Sequence, residues 1–331
     1  TNPEAVSLTG WSLRVLAPEE LTWTFPANTS LPASGLLTAG GVSGGLAVQW
    51  PGFALPDTGA VVELLSPDGR IADTVTYGAQ ITGQSIGRTG AAWSLLSQPT
   101  PGALNSFVAI LGSQTALKIN EWRAGATNEA DWVELFNPAA QPVALGELRL
   151  TDDPSLAGVN KHVLPPAGFL AAGDWLLLDA DGSPESGFAH LGFQLSQLGE
   201  SLRLYGTITN LLDAVTIHAG LGAASAGRLP DGGALITPLS PPTPGAANQL
   251  NLDTDGDGLP DAWETQFGLD PQSADDATLD ADTDGFSNRR EYLAGTDPRD
   301  PQSAFRLAVT MQPDGSVRLR FTAQPGRSYS V

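Results

Sequence analysis

The chain has 331 residues, with 36 acidic against 16 basic side chains, a formal net charge of -20 and no cysteine. That charge argues against binding nucleic acid or inserting into an anionic membrane surface, both of which need basic groups to displace counterions. Without cysteine, disulfides, thiolate zinc sites and cysteine nucleophiles are excluded together.

A hydrophobic share of 41% is enough for real cores, and 38 glycines and 26 prolines beside 7% aromatic residues point to many short strands joined by turns. No apolar run reaches the roughly 18 to 20 residues of a membrane span, so no membrane insertion is expected. No signal peptide opens the chain at Thr1, so an exported protein is expected here in processed or trimmed form. The expected class is mainly β: tandem β-sandwiches, then a short loop-helix segment and a terminal β-hairpin or partial β domain.

Residues 1–108 alternate apolar runs with Gly, Pro and Asp-Gly signals and read as the first β domain. Within it VVELLSPDGRIADTVTYG predicts a hairpin turning at Pro67, Asp68 and Gly69. The pattern then returns over residues 115–249. IADTVTYG corresponds to LLDAVTIH, and SIGR to SAGR, so that Asp73 and Asp213, like Arg88 and Arg228, stand 140 residues apart. PTPGALN corresponds to PTPGAAN. A repeated Asp and Arg of this kind predicts an internal ion pair in each copy, Arg88 to Asp73 and Arg228 to Asp213; recognition of a carboxylate partner is the other reading.

KINEWRAGATNEADWVELFNP, followed by ALGELRL, ESLRLYG, DAVTIH, SAGRLPDGG and PTPGAAN, resembles the bacterial lamin-tail domain, an immunoglobulin-like β-sandwich. The likeness covers residues 116 to 248, while residues 2 to 105 match only its later part. It implies an extracellular or cell-surface bacterial protein that works through interaction. Asn120, Glu121, Trp132, Glu134 and Asn137 carry the family's opening signature, and the plain reading makes Trp132 core and Asn137-Pro138 a turn.

Residues 250–301 carry the densest chemistry, with 14 of the 36 acidic residues between Asp253 and Asp300. Asp253, Asp255, Asp257, Gly258, Asp261 and Glu264 fit the twelve-residue calcium loop D-x-[DN]-x-[DN]-G-x5-E. Asp280, Asp282, Asp284, Gly285, Asn288 and Glu291 fit it again 27 residues later. A hard cation takes six to eight oxygens, alternate residues point inward, glycine permits the turn, and the last glutamate closes the shell. The carbonyls of Leu259 and Phe286 are expected to add one oxygen each, giving two Ca2+ ions of extracellular-type affinity, on the order of 10⁻⁴ to 10⁻³ M. Short helices are expected over 260–267 and 287–294, ended by Gly268 and Gly295.

This segment resembles the calcium repeats of thrombospondin type 3 and dockerin modules, where one helix follows each loop. Pro260 and Ser287 stand where paired calcium loops carry an apolar bridging residue. That favours a rigid clamp over a regulatory opening.

Residues 302–331 predict two strands around Pro313, Asp314 and Gly315. The first β domain lacks a counterpart to ALKINEWRAGATNEADWVELF, so the chain reads as a window on a longer polypeptide, or as one whose missing strands come from a neighbouring chain by β-strand addition.

No catalytic constellation is found: His162, His190 and His218 are scattered, and no nucleophile elbow or phosphate loop occurs. The leading reading is a non-enzymatic, calcium-stabilised structural or adhesion module, in which the ions fix the angle between the second β domain and the terminal one. It would assemble into fibres or a surface layer with other protein chains, itself among them, or bind surface polysaccharide. The alternative is a carbohydrate- or protein-binding appendage of a larger secreted hydrolase. The sugar form would use Trp11, Trp23, Trp50, Trp93 or Trp175, and the dockerin-like form a symmetric pair of exposed helices.

Overall fold

Short apolar runs broken by glycine, proline and Asp-Gly pairs can pair only locally or through long returns, and the chain does both. The computed structural model describes all residues except 1–2, 18, 40–45, 49–53, 91, 126–129, 156, 208, 219–224, 250–251, 313–316 and 322–331. It is mainly β, with several antiparallel sheets and two short α-helices, and divides into two compact units, residues 1–237 and 238–331.

In the first unit Ser12–Ala17 pairs with Glu19–Thr24 on one side and Ala60–Leu65 on the other, and Ala60–Leu65 pairs on with Ile71–Tyr77. The last two strands are the hairpin expected from sequence. Its turn is closed by Ser66 N donating to Arg70 O at 2.9 Å, and Gly69 at φ +81° takes the left-handed conformation that a side chain would disfavour.

The same order recurs later. Arg149–Thr151 lies between His162–Val163 and Glu200–Thr207, and Glu200–Thr207 pairs on with Asn210–Ile217. In the two hairpins Leu64 faces Asp73 and Leu204 faces Asp213, each just before a register shift. The expected ion pairs form as well: Arg88 to Asp73 at 2.9 Å and Arg228 to Asp213 at 3.1 Å. The internal repetition is therefore one of strand order, register and charge.

The later copy has a second sheet, ordered Trp175–Asp179, Trp132–Phe136, Lys118–Arg123, Ser225–Arg228, Ile236–Leu239. Every residue of Trp132–Phe136 is buried, as a strand flanked on both sides and covered on both faces must be. One apolar cluster draws on both sheets: Ile119, Trp122, Val133, Leu135 and Leu178 from this one, Leu150, Leu202, Leu204, Val215 and Ile217 from the other.

The signature polar residues lie at its margin, fully buried and partnered. Asn120 Nδ2 donates to Glu134 Oε1 at 3.0 Å and to Asp231 Oδ1 at 2.9 Å, and Ser225 Oγ donates to Glu121 Oε1. Asn137 Nδ2 donates to the carbonyls of Gln141 and Ala171, and its Oδ1 accepts from Ala139 N, which fixes the turn. Buried polar groups persist only when paired in this way.

The earlier copy is thinner. Its Ser85–Thr89 and Ala92–Leu96 pair, as counterparts of Ser225–Arg228 and Ile236–Leu239. Among the described residues no strand corresponds to Lys118–Arg123 or Trp132–Phe136. Its buried cluster is correspondingly small, Val15, Ala60 and Tyr77. The two copies touch where Phe169 N donates to Ala79 O and Gln80 Nε2 to Ala167 O, both at 2.8 Å.

In the second unit Ala308–Met311 pairs antiparallel with Val317–Arg320. The turn expected at Pro313, Asp314 and Gly315 lies outside the described residues.

Candidate metal centre

The two acidic loops lead into helices α1, Asp261–Phe267, and α2, Asn288–Ala294. Each helix ends on a left-handed glycine, Gly268 at φ +66° and Gly295 at φ +74°, whose N–H caps the last turn. The sequence places both elements within a residue, because start and stop are set by local chemistry.

Within each loop the carboxylates fold the backbone around themselves. Asp253 Oδ1 and Oδ2 accept from Gly256 N at 2.8 Å and Gly258 N at 3.0 Å, and Asp280 Oδ1 and Oδ2 accept from Asp284 N at 3.1 Å and Gly285 N at 2.8 Å. Asp255, Asp257, Asp282 and Asp284 each use Oδ1 to accept from the N–H two residues on. Through these bonds the N–H groups of Leu259 and Phe286 are tied to Asp257 and Asp284.

The second oxygens are left over. Asp255 Oδ2, Asp257 Oδ2, both Glu264 oxygens, Asp282 Oδ2, Asp284 Oδ2 and Glu291 Oε2 are buried without a hydrogen-bond partner. Carboxylate oxygens of Asp253, Asp255 and Asp257 lie within 4.8 Å of one another, as do those of Asp280, Asp282 and Asp284. Leaving a buried charged acceptor unpaired costs several kcal/mol, and like charges this close repel.

The strain appears in the acidities. Burial, reinforced by Asp255, Asp257, Asp276 and Asp261, pushes Glu264 up to about 7. Burial also pushes Glu291 up to about 7, against a bond from Thr296 and with the help of Asp282, Asp284 and Asp280. Asp257 and Asp282 are raised by burial and by neighbouring aspartates, against the backbone N–H bonds that each accepts. An all-oxygen set with surplus buried acceptors suits a hard divalent cation, which would satisfy those oxygens and remove the repulsion.

The expected ligands do not all face inward. Asp261 Oδ1 accepts from Thr254 N at 2.7 Å and Asn288 Oδ1 accepts from Ala281 N at 3.3 Å, so both ninth-position side chains close their loop onto its own backbone. Asn288 Nδ2 also donates to Asp276 O at 2.8 Å. Asp276 was not legible from the motif, yet an oxygen of it lies within 4.8 Å of oxygens of Asp257 and Glu264.

The helices are in contact through Trp263, whose ring lies 5.3 Å from that of Tyr292. In the repeat Trp263 corresponds to Arg290 and Tyr292 to Thr265, so the pair does not present one duplicated face.

Elsewhere, His162 is buried in the first unit and pushed down to about 4 by that burial, His190 Nδ1 lies 2.7 Å from Asp181 Oδ2, and His218 is exposed. Trp11, Trp23 and Trp175 are half-buried, Trp93 is exposed beneath the Arg88 guanidinium at 5.1 Å, and Trp50 lies outside the described residues. Among the described residues no helix is long and apolar enough to cross a membrane.

Residues 253–274 and 280–301 match the bacterial TSP3 repeat. No curated protein and no solved structure matches the chain. The matched repeat is a structural, non-catalytic one, and it falls on the two carboxylate clusters just described.

Proposed function

We propose that the protein is a calcium-stabilised structural or adhesion module of the bacterial cell surface or extracellular space. The observation that carries this reading is the surplus of buried, unpartnered carboxylate oxygens in two loops with one spacing. Asp253, Asp255, Asp257 and Glu264 would hold one ion and Asp280, Asp282, Asp284 and Glu291 the other, with the Leu259 and Phe286 carbonyls completing the shells. Asp261 and Asn288 would serve by closing the loops. Calcium supplies positive charge to oxygens that the fold has already removed from water.

Everything else is the work of the chain. The third and fifth aspartates spend one oxygen on the loop backbone and keep the other for the ion, the first accepts backbone N–H groups with both oxygens, and Gly258 and Gly285 turn the loop at φ +88° and +100°. Trp263 against Tyr292 and Arg289 over Gly258 then lock the two repeats into one body. Such a segment stiffens a spacer; it does not open and close a groove.

The repeated strand order, register and Arg–Asp pairs support reading residues 1–108 and 115–249 as two lamin-tail-like β-sandwiches. Residues 250–301 would then form the calcium segment, followed by the paired strands Ala308–Met311 and Val317–Arg320. Among the described residues Ser85–Thr89 is paired along one edge, whereas its counterpart Ser225–Arg228 also pairs with Lys118–Arg123. That edge favours assembly by β-strand addition as the mode of association.

Calorimetric titration with calcium tests the reading. Wild type should take up two ions, and Asp255→Ala and Asp282→Ala one each. Unchanged stoichiometry in both variants would refute the ligand assignment.

A further inference from the structure

The two repeats differ at one position in a way that their shared architecture explains only in part. Asp270 and Asp297 follow the helices at equivalent places, and each backbone N–H is captured by a side chain six residues on. Asp270 N donates to Asp276 Oδ2 at 2.8 Å, and Asp297 N donates to Ser303 Oγ at 2.9 Å. A hydroxyl is therefore enough for the structural task. In the first repeat the task falls to a carboxylate, and its other oxygen, Oδ1, is buried without a partner in a side chain only 9% exposed. An oxygen of that carboxylate lies within 4.8 Å of oxygens of Asp257 and of Glu264, which is itself fully buried with both oxygens unpartnered.

We propose that Asp276 is a ligand of the first metal ion, supplied from outside both repeats, since it falls between residues 253–274 and 280–301. The proposal rests on the reading of the first loop as a calcium site and adds a fifth carboxylate to it. The second repeat holds that ligand in place: Asn288 Nδ2 donates to Asp276 O at 2.8 Å, and Asn288 N donates to Leu279 O at 2.8 Å at the end of the turn carrying Asp276. The second site has Ser303 instead, and Arg306 lies 3.9 Å from its Asp284. With five carboxylates among its ligands against four at the second, the first site is the tighter of the two.

The test is calcium titration of the full chain in an Asp282→Ala background, which leaves the first site alone, with Asp276→Ser as the variant. Serine keeps an acceptor for Asp270 N–H, as in the second repeat. Asp276→Asn, which keeps the shape, serves if the serine variant does not fold. The expected loss of affinity is at least as large as the roughly 10–100-fold that removal of an outer-shell partner costs. Europium luminescence lifetimes should report one more coordinated water in the variant, which a merely structural role would not produce. Unchanged affinity and water count in the folded variant, with binding abolished by Asp257→Ala, would overturn this proposal and leave the calcium reading standing. If Asp257→Ala also changes nothing, both fall.

Discussion

Calcium uptake by this protein should expel protons, in an amount fixed by two glutamates. Glu264 and Glu291 are each pushed up to about 7 by burial and by the aspartates around them. At pH 6 each therefore carries about 0.9 of a proton and at pH 8 about 0.1, so filling both sites releases about 1.8 protons at pH 6 and about 0.2 at pH 8. The sign for stability follows. Both acidities are weaker in the folded, metal-free segment than the ordinary 4.5, so stability is fully present below pH 4.5 and is lost as pH rises through 7. Calcium should restore it above that range. Apparent affinity should consequently fall about tenfold per glutamate for each pH unit below 7. Calorimetry in buffers of different ionisation enthalpy counts the protons directly. A release that stays near zero at pH 6, or that does not change between pH 6 and 8, would refute the reasoning that these carboxylates compete between proton and metal.

Other expectations separate structural roles. Arg228 is buried and bonds Asp213, Ile119 O and Gly233 O, so Arg228→Ala should destabilise the first unit by about 3–5 kcal/mol in urea, against at most about 1 kcal/mol for Arg88→Ala at its exposed counterpart. Equal losses would contradict the burial argument. His162, pushed down to about 4, is neutral in the folded state, so stability present above pH 6.5 should drain away as pH falls to 4, by up to about 3 kcal/mol; a His162→Phe chain should lack that part of the acid response. Asn288→Ala removes both the loop closure at Ala281 and the hold on Asp276, and should weaken both calcium sites, where a residue of the second loop alone would weaken one. Gly268→Ala forces a side chain into the left-handed conformation at φ +66° and should cost about 1–2 kcal/mol in the thermal unfolding of the second unit.

What could be read from the sequence was what local chemistry decides. The spacing of Asp253, Asp255, Asp257 and Glu264 is dictated by one loop and one helical turn, and Gly268 and Gly295 announce where the helices stop. The doubled Asp–Arg pairs were legible for a similar reason, because a charge repeated at one spacing implies a partner repeated with it. Trp132 as core and Asn137 as a turn also followed from the pattern.

The rest depended on contacts distant in sequence. The pairing of Glu121 with Gly227 creates the second sheet and buries a polar layer that no periodicity displays. The direction of Asp261 and Asn288 was hidden because spacing assigns a position to the loop without saying whether its oxygen turns to the centre or to the Thr254 and Ala281 amides. Asp276 was hidden because the motif ends at Glu264 and the chain must fold back to return it. The available signal was the alignment of Asp276 with Ser303, two residues that do one structural job with different numbers of oxygens.

The most direct test is a crystal structure grown with millimolar calcium and measured for anomalous scattering. Two peaks are expected, one among Asp253, Asp255, Asp257 and Glu264 and one among Asp280, Asp282, Asp284 and Glu291. Well-ordered loops with water alone at both centres would contradict the account.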